Sequence, residues 1–432
     1  MKPEASRISE INFRGWDAVA LKNGLVSLVA VPIIGGRVMA YDLQTYSYLF
    51  VDRNLAGKLF TPEEHVGDGS MPNWKNYGGD KTWPSPQGWS GPHEWPGPPD
   101  AVLDSGHYSL SIRQENPDGS AEIEMTSPSD RERTGIQIFR RFKLYAGSSR
   151  VTQTLTFKNV SDRKVRWSIW DVNQLLAERV LPDGSLDVEK ECVITTRLNA
   201  DSKFPRGFNV MFGDDNNPQW QADPQSGLFK AQYLWEIGKV GIDTTCGWIG
   251  FSNAAQGYAM CEQFPYYPGQ EYPDSGVTVE CWTVGRGKVA GLNYEGSDIY
   301  LMEVEVLSPF YWFEPGQSHT FVLEWGACRL NGAITHAEAG GLTAGTPRVE
   351  VGENGKLRLR GQFGVFDEGE LVLSARTETG DTLVALNLGP VSPMQVLDLD
   401  ETVILPEGVR NIELEVSASL DGARRLLYSF AD

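Results

Sequence analysis

The chain has 432 residues, 41% hydrophobic and 22% charged, the balance of a globular protein too long for one ordinary core. A net charge of −19, from 57 acidic and 38 basic residues without a compact Lys/Arg patch, argues against nucleic acid and anionic membrane as partners. No apolar run is long enough to span a bilayer and the opening MKPEASRISEINFRG lacks an apolar h-region, so the expected location is the cytoplasm, or outside the cell if a leader has been removed.

The first segment with chemistry in it is Asn73 to Gly106. It places Trp74, Trp83, Trp89 and Trp95 among seven prolines (Pro72 to Pro99) and the five glycines Gly78, Gly79, Gly88, Gly91 and Gly97. That punctuation fits neither a helix nor a central strand and predicts a long loop. Its aromatic content argues for order. Indole faces with Asn76, Asp80, Lys81, Gln87 and His93 between them suit a sugar ring, whose C–H faces stack while its hydroxyls meet planar polar groups. The competing reading is a Trp/Pro plug over one end of a core.

Alternation with period two follows. Ile136, Ile138, Phe142 and Leu144 share one strand face, interrupted by Arg140. Val151, Leu155 and Phe157 oppose Thr152, Thr154 and Thr156. In the segment Trp167 to Gln174, alternation sends Trp167, Ile169, Asp171 and Asn173 one way and Trp170 and Val172 the other. A carboxylate and an amide on an aromatic-lined face fit a wet pocket, with Gln174 beside them. Asn173 to Val180 is expected to form two helical turns. Cys261 to Gly269 adds Glu262, Tyr266 and Tyr267 as candidates. Farther on, Met302, Val304 and Val306 alternate with Glu303 and Glu305, and Ser308 to Gly316 reads as a strand end and turn.

The small, polar stretch His336 to Pro347 reads as a flexible linker. It divides a large carbohydrate-binding unit, residues 1–337, from a small one, residues 346–432, whose short strands are spaced as in an immunoglobulin-like accessory sandwich. The five cysteines lack CxxC spacing and the five histidines lack HxH or HExxH, so neither a metal nor another cofactor is expected.

Three stretches together resemble the galactose mutarotase-like proteins of the aldose 1-epimerase superfamily. They are Gly24 to Leu43, with an apolar strand, Gly-Gly-Arg and an outgoing strand; Leu155 to Gln174; and Met302 to Trp325, with its Pro-Gly turn. The loop GGDKTWPSPQ is similar to that of a bacterial branch of this superfamily. The resemblance spans roughly residues 10 to 335. It implies an all-β fold: a large antiparallel β-supersandwich that binds carbohydrate, followed here by the small sandwich. Mutarotases use a Glu base on the anomeric hydroxyl and a His acid on the ring oxygen. Matching puts Asp171 at the His position and Glu262 at the base, with Glu280 its rival. The expected ligand is a mono- or oligosaccharide, open to being anionic, with Lys81 to meet a carboxylate. The fold also hosts polysaccharide lyases and glycosidase accessory domains. A lyase using Lys81 with Tyr266 or His93, a hydrolase, and a non-catalytic sugar-binding protein therefore stay open beside the epimerase-like reading.

Overall fold

The computed structural model describes residues 3–88, 90–352 and 356–430. Trp89 lies outside them. The chain is all-β, and its two main sheets are antiparallel throughout. One has twelve strands. Its centre runs Arg37–Leu43, Asp80–Ser85, Val165–Leu176, Leu301–Leu307, Val279–Thr283, Gly238–Ile242, Asn209–Gly213. The other has ten, with Tyr258–Gln263, Ser318–Arg329, Val151–Asn159 and Ile136–Leu144 at its centre. No helix among the described residues is long and apolar enough to cross a membrane.

Alternation explains how the layers join. Every second residue of Ile136–Leu144 and Val151–Asn159 is buried. Those buried side chains meet apolar residues of the twelve-stranded sheet in one continuous core, which includes Tyr41, Trp167, Ile169 and Trp325. Burying such alternating faces is the main favourable term holding two sheets together. Arg140, which breaks the apolar pattern, is also fully buried; its partner is described below.

Two expectations from local sequence are overturned. Asn173 to Val180 is not helical: strand Val165–Leu176 runs through it and Glu178–Val180 follows. Pairing on both sides, with Asp80–Ser85 and Leu301–Leu307, satisfies its backbone and outweighs any local helical preference. Asp80–Ser85, expected in a loop, is a central strand despite Pro84. The neighbour on its other side, Arg37–Leu43, touches it only at Val38–Asp80, so the missing N–H of Pro84 interrupts no ladder there.

Four-stranded sheets complete the chain. Ile334–Glu338, Gly341–Val351, Lys356–Val365 and Leu397–Ile404 form one; Thr382–Val391, Gly369–Arg376, Asn411–Ala418 and Arg424–Phe430 form the other. They share a core around Leu359, Phe363, Leu373 and Leu414. The stretch read as a flexible linker is instead a pair of strands. Leu342 is fully buried, in a cluster with Trp248, Cys261, Cys328 and Phe366 that ties the small sheets to the ten-stranded one.

Candidate functional site

In an antiparallel sheet, residues directly opposite each other point to the same side. Register therefore fixes what shares a face. Gln174, Glu303, Trp282, Lys239 and Phe212 form one row across five strands. Lys81, Val172, Glu305 and Glu280 form the adjacent row, and Trp83 with Trp170 begins a third. These rows face away from the ten-stranded sheet and floor a cleft of about 1020 Å³, mouth included. Trp74, Asn76 and Gln87 wall it from the Trp segment, and Val289, Leu292 and Tyr294 from the hairpin of Lys288–Val289 and Leu292–Asn293.

The aromatic wall is locked from behind. Trp83 packs edge-on against Trp170 and Trp74, with ring centroids 5.3 and 5.8 Å apart, and against the fully buried Trp95 at 5.0 Å. Asp104 accepts from Trp74 Nε1 at 2.7 Å, Trp83 Nε1 at 3.2 Å and Arg37 at 2.5 Å, and pairs with His65 at 3.0 Å. Burial alone would raise its carboxyl, but the Arg37 guanidinium and His65 outweigh that and hold it below the ordinary value. The two indoles thus present rings, not N–H groups, to the cleft.

The floor is charged. Lys239 Nζ lies 2.6 Å from Glu280 Oε2 and 3.0 Å from Glu305 Oε2, and 4.5 Å from the Trp170 ring centroid. Trp170 Nε1 donates to Glu305 at 2.9 Å. Gln174 Nε2 donates to Glu303 Oε1 at 2.5 Å, and Lys81 Nζ stands 3.5 Å from the same oxygen. Two carboxylates thus share one lysine at Lys239. Burial and the Glu305 charge push Glu280 well above the usual carboxylate range, although Lys239 opposes them. Lys239 is raised too: burial works against its ammonium, but Glu280 and Glu305 outweigh it. Burial also raises Glu303, with Lys81 opposing. Among the described residues, Glu280 Oε1 and Gln174 Oε1 are buried without a hydrogen-bond partner.

Sequence reasoning placed Asp171 and Asn173 on the wet face, and the structure corrects this. The odd-numbered residues of Val165–Leu176 turn toward the ten-stranded sheet. Asp171 accepts from Thr82 Oγ1 at 3.0 Å and Gln153 Nε2 at 2.8 Å, and Asn173 Nδ2 donates to Glu262 Oε1 at 2.6 Å. Asp171, Asn173 and Glu262 are at most 1% exposed. Asp80 pairs with Arg140 in the same interior group, 0% exposed on both sides. One guanidinium thus faces two acids, Asp80 and, at 4.0 Å, Asp171. Burial first, then the Asp80 charge, lifts Asp171; burial first, then Asp171, lifts Glu262. The two acids do meet, but sealed between the sheets rather than in the cleft.

The remaining candidates divide. Trp74, Asn76, Trp83, Gln87, Gln174 and the rival base Glu280 line the cleft. Lys81 belongs to its floor row, buried beneath Trp83 at 4.9 Å from the ring centroid. His93 is exposed on the outer loop and does not line the cleft. Tyr266 stacks on Tyr272 and Tyr267 is exposed, both outside it. Lys239, Glu303, Glu305, Trp170, Trp282 and Asp104 were missed as functional. The available signal was alternating charge inside apolar strands: MEVEV at Met302 to Val306 and VECW at Val279 to Trp282.

No protein-family model matches the chain, and no curated protein matches it. Among solved structures, one similar to it is a candidate aldose 1-epimerase of Klebsiella pneumoniae, at 11% identity and a TM-score of 0.50, covering 77% of this chain and 85% of that one. A galactose mutarotase-like protein of Clostridium acetobutylicum matches at 10% identity and a TM-score of 0.46, covering 76% and 99%. A TPR-domain containing protein of Parabacteroides distasonis matches at 12% and 0.41, where the chain spans 72% of itself and 46% of that protein. The fold is galactose mutarotase-like, as the sequence resemblance implied.

Proposed function

We propose that this protein binds a sugar in the Trp-walled cleft and performs acid/base chemistry on it, with Glu280 as the proton carrier. The observation that carries the reading is Glu280 itself. It is 1% exposed, lines an aromatic cleft, is held on one oxygen by Lys239, and keeps its other oxygen unpartnered. A carboxyl with a raised pKa, next to a second acid, is the arrangement that moves protons near neutrality. Indole faces of Trp74 and Trp83 orient the ring, and Gln174 and Asn76 meet hydroxyls. Epimerase-like opening at the anomeric centre fits best: Glu280 delivers a proton to the ring oxygen while Glu303 takes the hydroxyl proton. The likeness to candidate epimerases agrees with that choice. Eliminating across a uronic acid calls for a cation at the substrate carboxylate, and here Lys239 is held by two acids while Lys81 is 1% exposed and does not line the cleft. The same proposal assigns carbohydrate binding to residues 1–337 and an accessory role to 346–432.

The test is NMR exchange spectroscopy of anomer interconversion across a sugar panel, with calorimetry for binding. Glu280→Gln is expected to abolish interconversion while sugar still binds. Binding without turnover in the unaltered protein would reduce the reading to a sugar-binding protein. A confirmed activity untouched by Glu280→Gln would remove Glu280 from the mechanism.

A further inference from the structure

We propose that the sugar this cleft accepts carries an ammonium group: an amino sugar of the 2-amino-2-deoxyhexose class. The inference rests on the saccharide reading above and names its substrate class.

Charge comes first. Asp274, Glu280 and Glu303 line the cleft, and Glu305 lies in the floor row beside them, against only Lys239 and Lys81. Neither lysine is presented to an anion in the cleft. Lys239 is clamped between Glu280 and Glu305 at 2.6 and 3.0 Å. Lys81 keeps its Nζ without a hydrogen-bond partner, but it is 1% exposed beneath Trp83 and does not itself line the cleft. No arginine lines the cleft among the described residues. A uronate would shed water against acids with nothing to replace it.

Hydrogen-bonding capacity points the same way. The N–H groups of Trp74 and Trp83 are spent on Asp104, and that of Trp170 on Glu305. Among its buried groups the cleft offers instead an acceptor on Gln174 and a carboxyl oxygen on Glu280, each at most 1% exposed and without a partner, with donors on the more exposed Asn76 and Trp282. Such a surface recognises a donor-rich ligand. An ammonium brings three donors and no acceptor. Indole faces add attraction for a cation, and none for a neutral hydroxyl, through the ring quadrupole.

The experiment is titration calorimetry of the full chain at low ionic strength and about pH 6.5, where a sugar ammonium and an ordinary carboxylate are both charged. The probes are glucosamine, galactosamine and mannosamine, each against its parent hexose, with glucuronate and galacturonate alongside. One amine is expected to bind at least about tenfold tighter than its parent, with both uronates inert. Glu303→Gln is expected to shrink the preference, and the panel on the unaltered protein decides the matter even if that variant misfolds. A hexose or uronate bound as tightly as its amine overturns the inference and leaves the sugar reading standing. Silence across the whole panel overturns the sugar reading itself.

Discussion

Lys239 and Glu280 meet at 2.6 Å across neighbouring strands of the cleft floor, and Glu305 shares the same ammonium at 3.0 Å. One lysine faces two buried carboxyls there, and burial with the Glu305 charge raises Glu280 although Lys239 opposes them. The arrangement puts a carboxyl of raised pKa on the floor of the cleft, at a strand position rather than a loop, where the sheet fixes its direction.

Replacing Lys239 with Met strands a buried charge, and the stability loss is expected to be about 3–5 kcal/mol by urea denaturation. Glu280 and Glu305 are then left facing each other without their ammonium. Adding Glu280→Gln to Lys239→Met removes one of the two acids and should recover part of that loss. No recovery would show that the contacts of Lys239 with the two acids do not carry the stability.

Asp104 fixes both indoles of the cleft wall from behind. In Asp104→Asn the Arg37 guanidinium, fully buried, loses its counter-charge. A stability loss of about 3–5 kcal/mol is expected, with the near-ultraviolet circular dichroism of Trp74 and Trp83 altered. Weaker sugar binding should follow in the folded fraction. Unchanged affinity together with an altered aromatic spectrum would show that indole orientation does not govern binding.

Much of this fold was legible, because period-two patterns such as Ile136 to Leu144 and Val151 to Phe157 declare strand and face at once. The cleft was half legible for the same reason. A period of two says which residues share a face but not which face is wet. Along Trp167 to Gln174 the polar odd residues, Asp171 and Asn173, advertised solvent, yet they meet Gln153 and Glu262 of the opposite sheet. The even residues Trp170 and Gln174 line the cleft instead. Only long-range pairing, as of Asp171 with residue 153 or Arg140 with residue 80, separates the two cases, and local pattern carries no record of it. The Trp segment misled differently. Its prolines masked a strand whose outer edge has almost no partner to lose.

Lys81 gives a pH signature. Burial pushes its ammonium down from 10.5 to about 8, with Glu303 opposing. Below that value it is charged whether folded or unfolded, and the cost of burying the charge applies in full. Between about 8 and 10.5 the folded protein sheds a proton that the unfolded chain keeps, so stability rises with pH across that window. Compared with Lys81→Met, the unaltered protein is expected to gain roughly 3 kcal/mol over it. Urea denaturation of both proteins at three pH values reads the difference, in which other titrating groups cancel. A flat difference would mean that Lys81 does not titrate there.

Asp171→Asn tests which face carries the chemistry. Asp171 sits between the sheets with Thr82 and Gln153 as donors, and its carboxyl is raised by burial and by Asp80. Folding then takes up a proton wherever the unfolded carboxyl has ionised, so its contribution to stability falls as pH rises from the ordinary value of 3.8 upward. Asparagine keeps an acceptor for both donors and removes that dependence. Relative to the unaltered protein, the variant should therefore gain stability steadily from acid toward neutral pH, as read by denaturation midpoints. Sugar affinity and anomer interconversion should stay within about twofold, since remote, non-coupled sites add independently. Loss of turnover in a folded Asp171→Asn protein would return the reaction to the interior acids and take it from Glu280.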